Sequence, residues 1–124
     1  MVWSCLVSIL PGMAQTEKLT DYVNPFVGTD GYGNVYPGAQ IPFGGIQISP
    51  DTDSRFYDAA SGYKYNHLTL MGFSLTHLSG TGIPDLGDFL FIPGTGEMKL
   101  EPGTHEDPDQ GYRSRYSHDK EWAS

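Results

Sequence analysis

Hydrophobic residues along this chain come in short bursts separated by turn residues, and no window sustains a 3.6-residue period over three helical turns. The pattern predicts a mainly β protein. Residues 43–49 (FGGIQIS) alternate in their second half and stop at Pro50-Asp51. Residues 70–78 place Phe73, Leu75 and His77 on one face and Gly72, Ser74 and Thr76 on the other. Both stretches predict half-buried strands. Residues 88–92 (DFLFI) form a continuous apolar run closed by Pro93-Gly94, the signature of a strand covered on both faces, and residues 97–100 predict a short edge return. The tail, 112–124, is charged and aromatic and carries no turn or cap.

Four or so strands cannot close a sandwich, because they bury too little apolar surface to offset the entropy of ordering the chain. The expectation is therefore the front part of a larger antiparallel β-sandwich, cut off after Ser124. With 124 residues there is room for one domain at most. The 16 Gly and 9 Pro follow no period, which excludes a collagen-like array.

The first residues differ from the rest. Positions 2–10 are mostly apolar, Pro11 and Gly12 break the run, and Gly12-Met13-Ala14 sets small residues where a secretory signal is cut. No Lys or Arg precedes Lys18, so residues 1–14 read as an incomplete signal peptide, followed by a leader over 15–20 and a domain over 21–124. The competing reading is a disordered apolar N-terminus of a cytosolic chain. No run approaches the ~20 apolar residues that a bilayer span requires. Cys5 is the single cysteine and would leave with the signal, so the exported chain would hold neither a disulfide nor a thiolate metal site. That combination points to a secreted, periplasmic or cell-surface protein of a bacterium. The balance of 15 acidic against 7 basic residues, a formal charge of -8, argues against nucleic acid and against an anionic membrane surface.

Candidate chemistry concentrates in residues 71–88, where an apolar run opens into a glycine-punctuated loop carrying His77, Ser79, Thr81, Asp85 and Asp88. A bare hairpin needs two to five or so turn residues. This loop instead spends Gly80, Gly82, Pro84 and Gly87 on its backbone and lines it with hydroxyls, an imidazole and carboxylates, a composition that suits a sugar. The same side chains also satisfy ordinary loop amides, so a purely structural loop is the alternative.

Several strings in one order carry a family resemblance. They are Tyr22-Val23-Asn24-Pro25-Phe26-Val27-Gly28-Thr29-Asp30, Tyr36-Pro37-Gly38-Ala39 with Pro42-Phe43-Gly44, Ser49-Pro50-Asp51, Ser61-Gly62-Tyr63-Lys64-Tyr65, and Gly72-Phe73-Ser74 with His77-Leu78-Ser79-Gly80-Thr81-Gly82. From Asp21 onward the chain resembles the N-terminal part of glycoside hydrolase family 92, the calcium-dependent exo-acting α-mannosidases. The resemblance implies an N-terminal β-sandwich, a C-terminal helical barrel and an active site between them. It also implies inversion at the anomeric carbon, with one carboxylic acid protonating the leaving oxygen and a second carboxylate activating water. Those carboxylates and most calcium ligands belong to the helical domain, so no catalytic or metal residue is expected here and the chain alone should be inactive. Its partners would be mannose-terminated glycans and that helical domain. Departures from the family pattern are Phe56-Tyr57 in place of Gly-Trp, Ala60 near a family cysteine, and Leu75 where a second histidine is common.

Tyr57 and Asp58 lead the substrate-binding candidates, since an aromatic face packs on a pyranose while a neighbouring carboxylate accepts its hydroxyls. His77, Ser79 and Thr81 complete the set, with His77 open to a structural reading as well. Asp85 and Asp88 read as turn caps, because a calcium site asks for about six or more oxygen ligands. The 30–34 run (DGYGN) lacks the flanking strand and helix of a phosphate loop. A free-standing carbohydrate-binding sandwich and a structural or adhesion module remain the other two functional classes.

Overall fold

A computed structural model describes residues 17–42, 44–53, 57–80, 83–84 and 87–120. The signal-like residues 1–14, Thr81, Asp85 and the last four positions lie outside the described residues, as does the side chain of Asp58. The architecture is mainly β and antiparallel. Five short strands, β1 Ser49–Asp51, β2 Thr69–Leu70, β3 Gly72–Ser74, β4 Leu90–Phe91 and β5 Ser114–Arg115, are joined by long loops and 3-10 turns. None of those turns exceeds four residues among the described residues, and none of the described helical segments is long and apolar enough to cross a membrane.

Three strands form one sheet in the order β1-β3-β4, and β2 pairs with β5 in a second. The register sets Pro50 opposite Phe73 and Phe73 opposite Phe91. Proline is tolerated in β1 because that strand is an edge, where a missing N–H costs no ladder bond. The expected strand over 70–78 is in fact two, broken at Met71, because β2 and β3 belong to different sheets. Gly72 makes the transfer possible: its φ is +152°, and a Cβ there would stand 2.7 Å from the Phe91 carbonyl oxygen.

The faces of the three-stranded sheet reverse the usual assignment. Ser49, Asp51 and Ser74 are buried, while Phe73 and Phe91 are 40% and 58% exposed. The 88–92 run is therefore not covered on both faces in this structure. Its inner side is claimed by a polar network, and its outer side carries the phenylalanines. Residues 97–100 form no strand, with Met98 and Leu100 largely exposed. The tail supplies β5, held against β2 with Thr69 opposite Arg115.

Candidate functional site

Beneath the loops lies a buried ion pair. His77 Nδ1 meets the Gln47 carbonyl oxygen at 2.7 Å, and its Nε2 meets Asp51 Oδ1 at 2.9 Å. The carbonyl and the carboxylate both accept and so favour a doubly protonated ring, an imidazolium, with the Ser74 hydroxyl 3.0 Å from the same Nε2. Burial pulls its pKa down, but the hydrogen bond and charge of Asp51, with the Gln47 carbonyl, outweigh that and raise it above 6.5. The other Asp51 oxygen accepts the Ser74 N–H at 2.8 Å, and the Tyr36 ring lies 4.9 Å from the imidazole. Gly62 closes over the pair. A Cβ there would stand 2.2 Å from Asp51 Oδ1, and its φ is +94°, so the Ser61-Gly62-Tyr63 string demands glycine for two separate reasons.

A second chain of polar contacts runs alongside. Thr52 Oγ1 accepts the Lys64 N–H and bonds His67 Nδ1, and the Arg113 guanidinium donates to the Thr52 carbonyl and to Thr69 Oγ1. His105 bridges Asp53 Oδ2 at 3.1 Å and Thr69 Oγ1 at 2.8 Å through its two nitrogens. That connectivity is the one an acid-histidine-hydroxyl relay uses. Thr69 is only 2% exposed, however, and no substrate atom could approach its oxygen. The relay ties β2 to the segment that follows β1.

Above the His77 pair three loops converge through Asn34. Its side-chain oxygen accepts the Ala60 N–H at 3.2 Å, its carbonyl accepts the Gly80 N–H at 2.6 Å, and its φ is +47°, a conformation asparagine tolerates better than most residues. Segments 28–36, 57–62 and 77–80 are thereby fixed to one another. On this surface Tyr57, 63% exposed, lies 6.2 Å from the ring of Tyr32, which is 77% exposed, and the Lys64 ammonium stands 6.0 Å from the Tyr32 centroid. Ser79, exposed, precedes Gly80 on the same loop cluster.

Tyr57 and Ser79 are thus both exposed, on loops that Asn34 ties to one another, whereas His77 is buried in the ion pair. Asp88 accepts the Thr76 hydroxyl at 3.0 Å, which closes a turn. Tyr32 and Asn34 were missed as members of this surface, although the glycine-flanked 30–34 run held both. The signal was the asparagine after glycine, a residue pair suited to positive φ. Among the described residues no three His, Cys, Asp or Glu side chains converge to hold a metal ion.

A separate cavity of about 610 Å³ is lined by aromatic and proline side chains, among them Phe26, Tyr63, Tyr65, Phe73, Tyr116 and His118. Its polar groups are engaged with one another: His118 Nδ1 bonds the Tyr116 hydroxyl, and its Nε2 meets the Tyr65 carbonyl and the Tyr63 hydroxyl. Burial, with Tyr116 and Tyr65 nearby, pushes the Tyr63 pKa up and keeps its hydroxyl protonated. The loop face, with two aromatic rings and an exposed hydroxyl, is the better place for a polar ligand.

Residues 22–124 match the Glycosyl hydrolase family 92 N-terminal domain. The chain belongs to that family. It is also 36% identical over 73 residues to an uncharacterized secreted glycosidase of Arthroderma benhamiae. That alignment covers 58% of this chain and 9% of the relative. The family's N-terminal domain accounts for the landmark strings at the site: Asp51, Gly62 and His77 come from three of them and meet in the one buried pair.

Proposed function

We propose that this chain serves as the N-terminal domain of a secreted α-mannosidase that releases terminal mannose from glycans with inversion, and that it supplies substrate-pocket and interdomain contacts rather than the catalytic carboxylates. The observation that carries this reading is the exposed Tyr32–Tyr57 pair, on loops that Asn34 ties to the one carrying Ser79, in a family 92 N-terminal domain. An aromatic pair offers faces to the apolar side of a pyranose, and the adjoining hydroxyl exchanges hydrogen bonds with its rim. In this reading Asp58 and Thr81 join the same contact set, and export follows removal of residues 1–14.

Asp51 and Asp53 do not act as acid or base, because each carboxylate is bound to an imidazole inside the fold. The acid that protonates the leaving oxygen and the base that activates water belong to the C-terminal domain. Calcium, whose chemistry is to hold sugar hydroxyls through oxygen coordination, is assigned there too. Asp51, Asp53 and Asp88 are engaged with His77, His105 and Thr76 instead.

Binding of methyl α-mannopyranoside, followed by NMR titration of the full chain, tests the pocket. Resonances of residues 32, 57 and 79 should shift, and Tyr57→Ala should weaken binding at least severalfold without loss of fold. Unchanged binding in that variant would overturn the assignment of the surface. A free-standing carbohydrate-binding module would use the same face, and the two readings part on whether a catalytic domain is encoded with it.

A further inference from the structure

The three loops tied by Asn34 share a second point of contact, the buried ion pair. His77 itself belongs to the 77–80 segment, whose Gly80 N–H reaches the Asn34 carbonyl. From 28–36, the Tyr36 ring lies 4.9 Å from the imidazole. From 57–62, Gly62 sits directly on the pair: a Cβ there would stand 2.2 Å from Asp51 Oδ1 and 3.3 Å from His77 Nε2. The Gly62 N–H donates to the Ala59 carbonyl at 2.9 Å, closing the turn that begins at Tyr57, and its own carbonyl accepts the Thr52 N–H at 2.7 Å. Tyr32, Tyr57 and Ser79 therefore stand on three segments that all bear on one titratable ring.

We infer that His77 is a positioning residue for these loops: its charged form clamps them to β1, and loss of its proton releases them. The reason lies in its partners. The charged ring donates from Nδ1 to the Gln47 carbonyl and from Nε2 to Asp51. A ring with one proton turns a lone pair toward one of those two acceptors. The Ser74 hydroxyl, 3.0 Å from Nε2, is placed to donate to that nitrogen, so the Nε2 proton is the one that leaves and the Gln47 bond stays. Asp51 Oδ1 then lies buried beneath Gly62 without its charged donor, a costly state for a carboxylate. Parting of the Gly62 turn from the 77–80 segment admits water to that oxygen and relieves the cost. Among the described residues, the titratable groups facing the ring are Asp51 from β1 and Tyr36 from 28–36; Gln47, Gly62 and Ser74 complete its surroundings. The Tyr36 hydroxyl donates to Gln40 and burial raises its pKa, so it stays neutral. Burial opposes the charge on His77, and Asp51 with the Gln47 carbonyl outweighs it, which sets the release above pH 6.5.

Three NMR readings on the full chain between about pH 5 and about pH 9 test this. The His77 ring carbons give its own titration. Amide protection factors, corrected for intrinsic exchange, compare Ala60, Gly62 and Gly80 with Tyr116, whose N–H meets the Leu68 carbonyl at 2.9 Å in the second sheet. A titration with methyl α-mannopyranoside gives affinity. Loop protection should fall with the midpoint of the His77 titration, by at most about tenfold per pH unit because one proton is involved. The loop amides should stay less protected than Tyr116 throughout. In Asp51→Asn the amide satisfies a neutral ring, so protection should no longer fall over that range; the native profile decides the matter even where this variant is destabilised. Loop protection that is flat with pH in the native chain, or whose midpoint departs from that of His77, would overturn the inference. So would a single protection factor shared by the loops and Tyr116 at each pH, the mark of whole-chain unfolding alone. The mannoside arm rests on the function proposed above and keeps the two failures apart. Binding that weakens as the loops loosen supports both. Loosening in step with His77 without binding at any pH supports the positioning role and tells against the mannoside surface. Binding of constant affinity on loops that stay closed supports the mannoside surface and overturns the positioning role.

Discussion

Replacing Asp51 separates two views of the buried pair, because Asp51→Ala and Asp51→Asn make opposite demands on His77. Alanine removes the carboxylate from an imidazole that is only 5% exposed and also strips the Ser74 N–H of its acceptor. Orphaning one partner of a buried ion pair costs about 3–5 kcal/mol, a large part of a total stability of about 5–15 kcal/mol. Asparagine has a way out. With its amide nitrogen toward Nε2 and its oxygen toward Ser74, every group is satisfied provided His77 is neutral and keeps its proton on Nδ1 for Gln47. The cost then falls to about 1–3 kcal/mol, the difference between charged and neutral hydrogen bonds. The pH profile carries the sharper signature. In the native chain the raised His77 pKa gives stability that is fully present below pH 6.5 and is lost as pH rises through the folded value. In Asp51→Asn only burial acts strongly on the ring, its pKa falls, and stability is lost instead as pH drops below about 6.5. Urea unfolding followed by far-UV circular dichroism between about pH 5 and 9 would resolve the two slopes, each limited to about 1.4 kcal/mol per pH unit. An Asp51→Asn profile that parallels the native one would refute the imidazolium assignment.

Gly62→Ala should destabilise the chain by more than about 1 kcal/mol, combining a positive φ with a contact against Asp51 that cannot relax; a urea midpoint equal to the native one would contradict this. Asn34→Ala should cost about 1–2 kcal/mol and raise amide exchange at Ala60 ahead of the sheet amides and of Gly80, since it removes the side-chain acceptor of Ala60 but keeps the backbone carbonyl that holds Gly80. The full chain should release no mannose from an aryl α-mannoside with or without calcium, because general acid-base catalysis worth about 10²–10⁴-fold would be missing; calcium-dependent release by pure protein would contradict the assignment of the carboxylates elsewhere. Secreted material should begin at Gln15, and N-terminal sequencing that finds Met1 would overturn the export reading.

The β class was legible because alternation survives in short runs such as 46–49 and 72–76. Which face turns inward was not. Alternation says that Phe73 and Ser74 part company, but the burial of Ser74 follows from Asp51 and His77, which lie 23 and 3 positions away and form a network no local window contains. β5 was illegible for a similar reason: Ser114 and Arg115 have no apolar pattern, and the adjacent Arg113 reaches Thr52 across 61 positions. At the site, Tyr57 and Ser79 could be picked by residue type and loop context. Asn34 could not be placed with them, because its role is to accept from two distant amides. The landmark strings stood out as strings, yet the reason glycine is needed between Ser61 and Tyr63 is a carboxylate oxygen of the string eleven residues earlier.

The transfer at Gly72 has a consequence for synthesis on the ribosome. Everything that the His77 pair and the β1-β3-β4 sheet require has been translated once Phe91 has emerged, whereas β2 must wait for Ser114 and Arg115. At elongation rates of about 5–20 residues per second, the nascent chain spends roughly one to five seconds with one sheet able to form and Thr69 and Leu70 unpaired. Gly72 lets those two residues hang free of the finished sheet during that interval, so the later strand docks without undoing the earlier one.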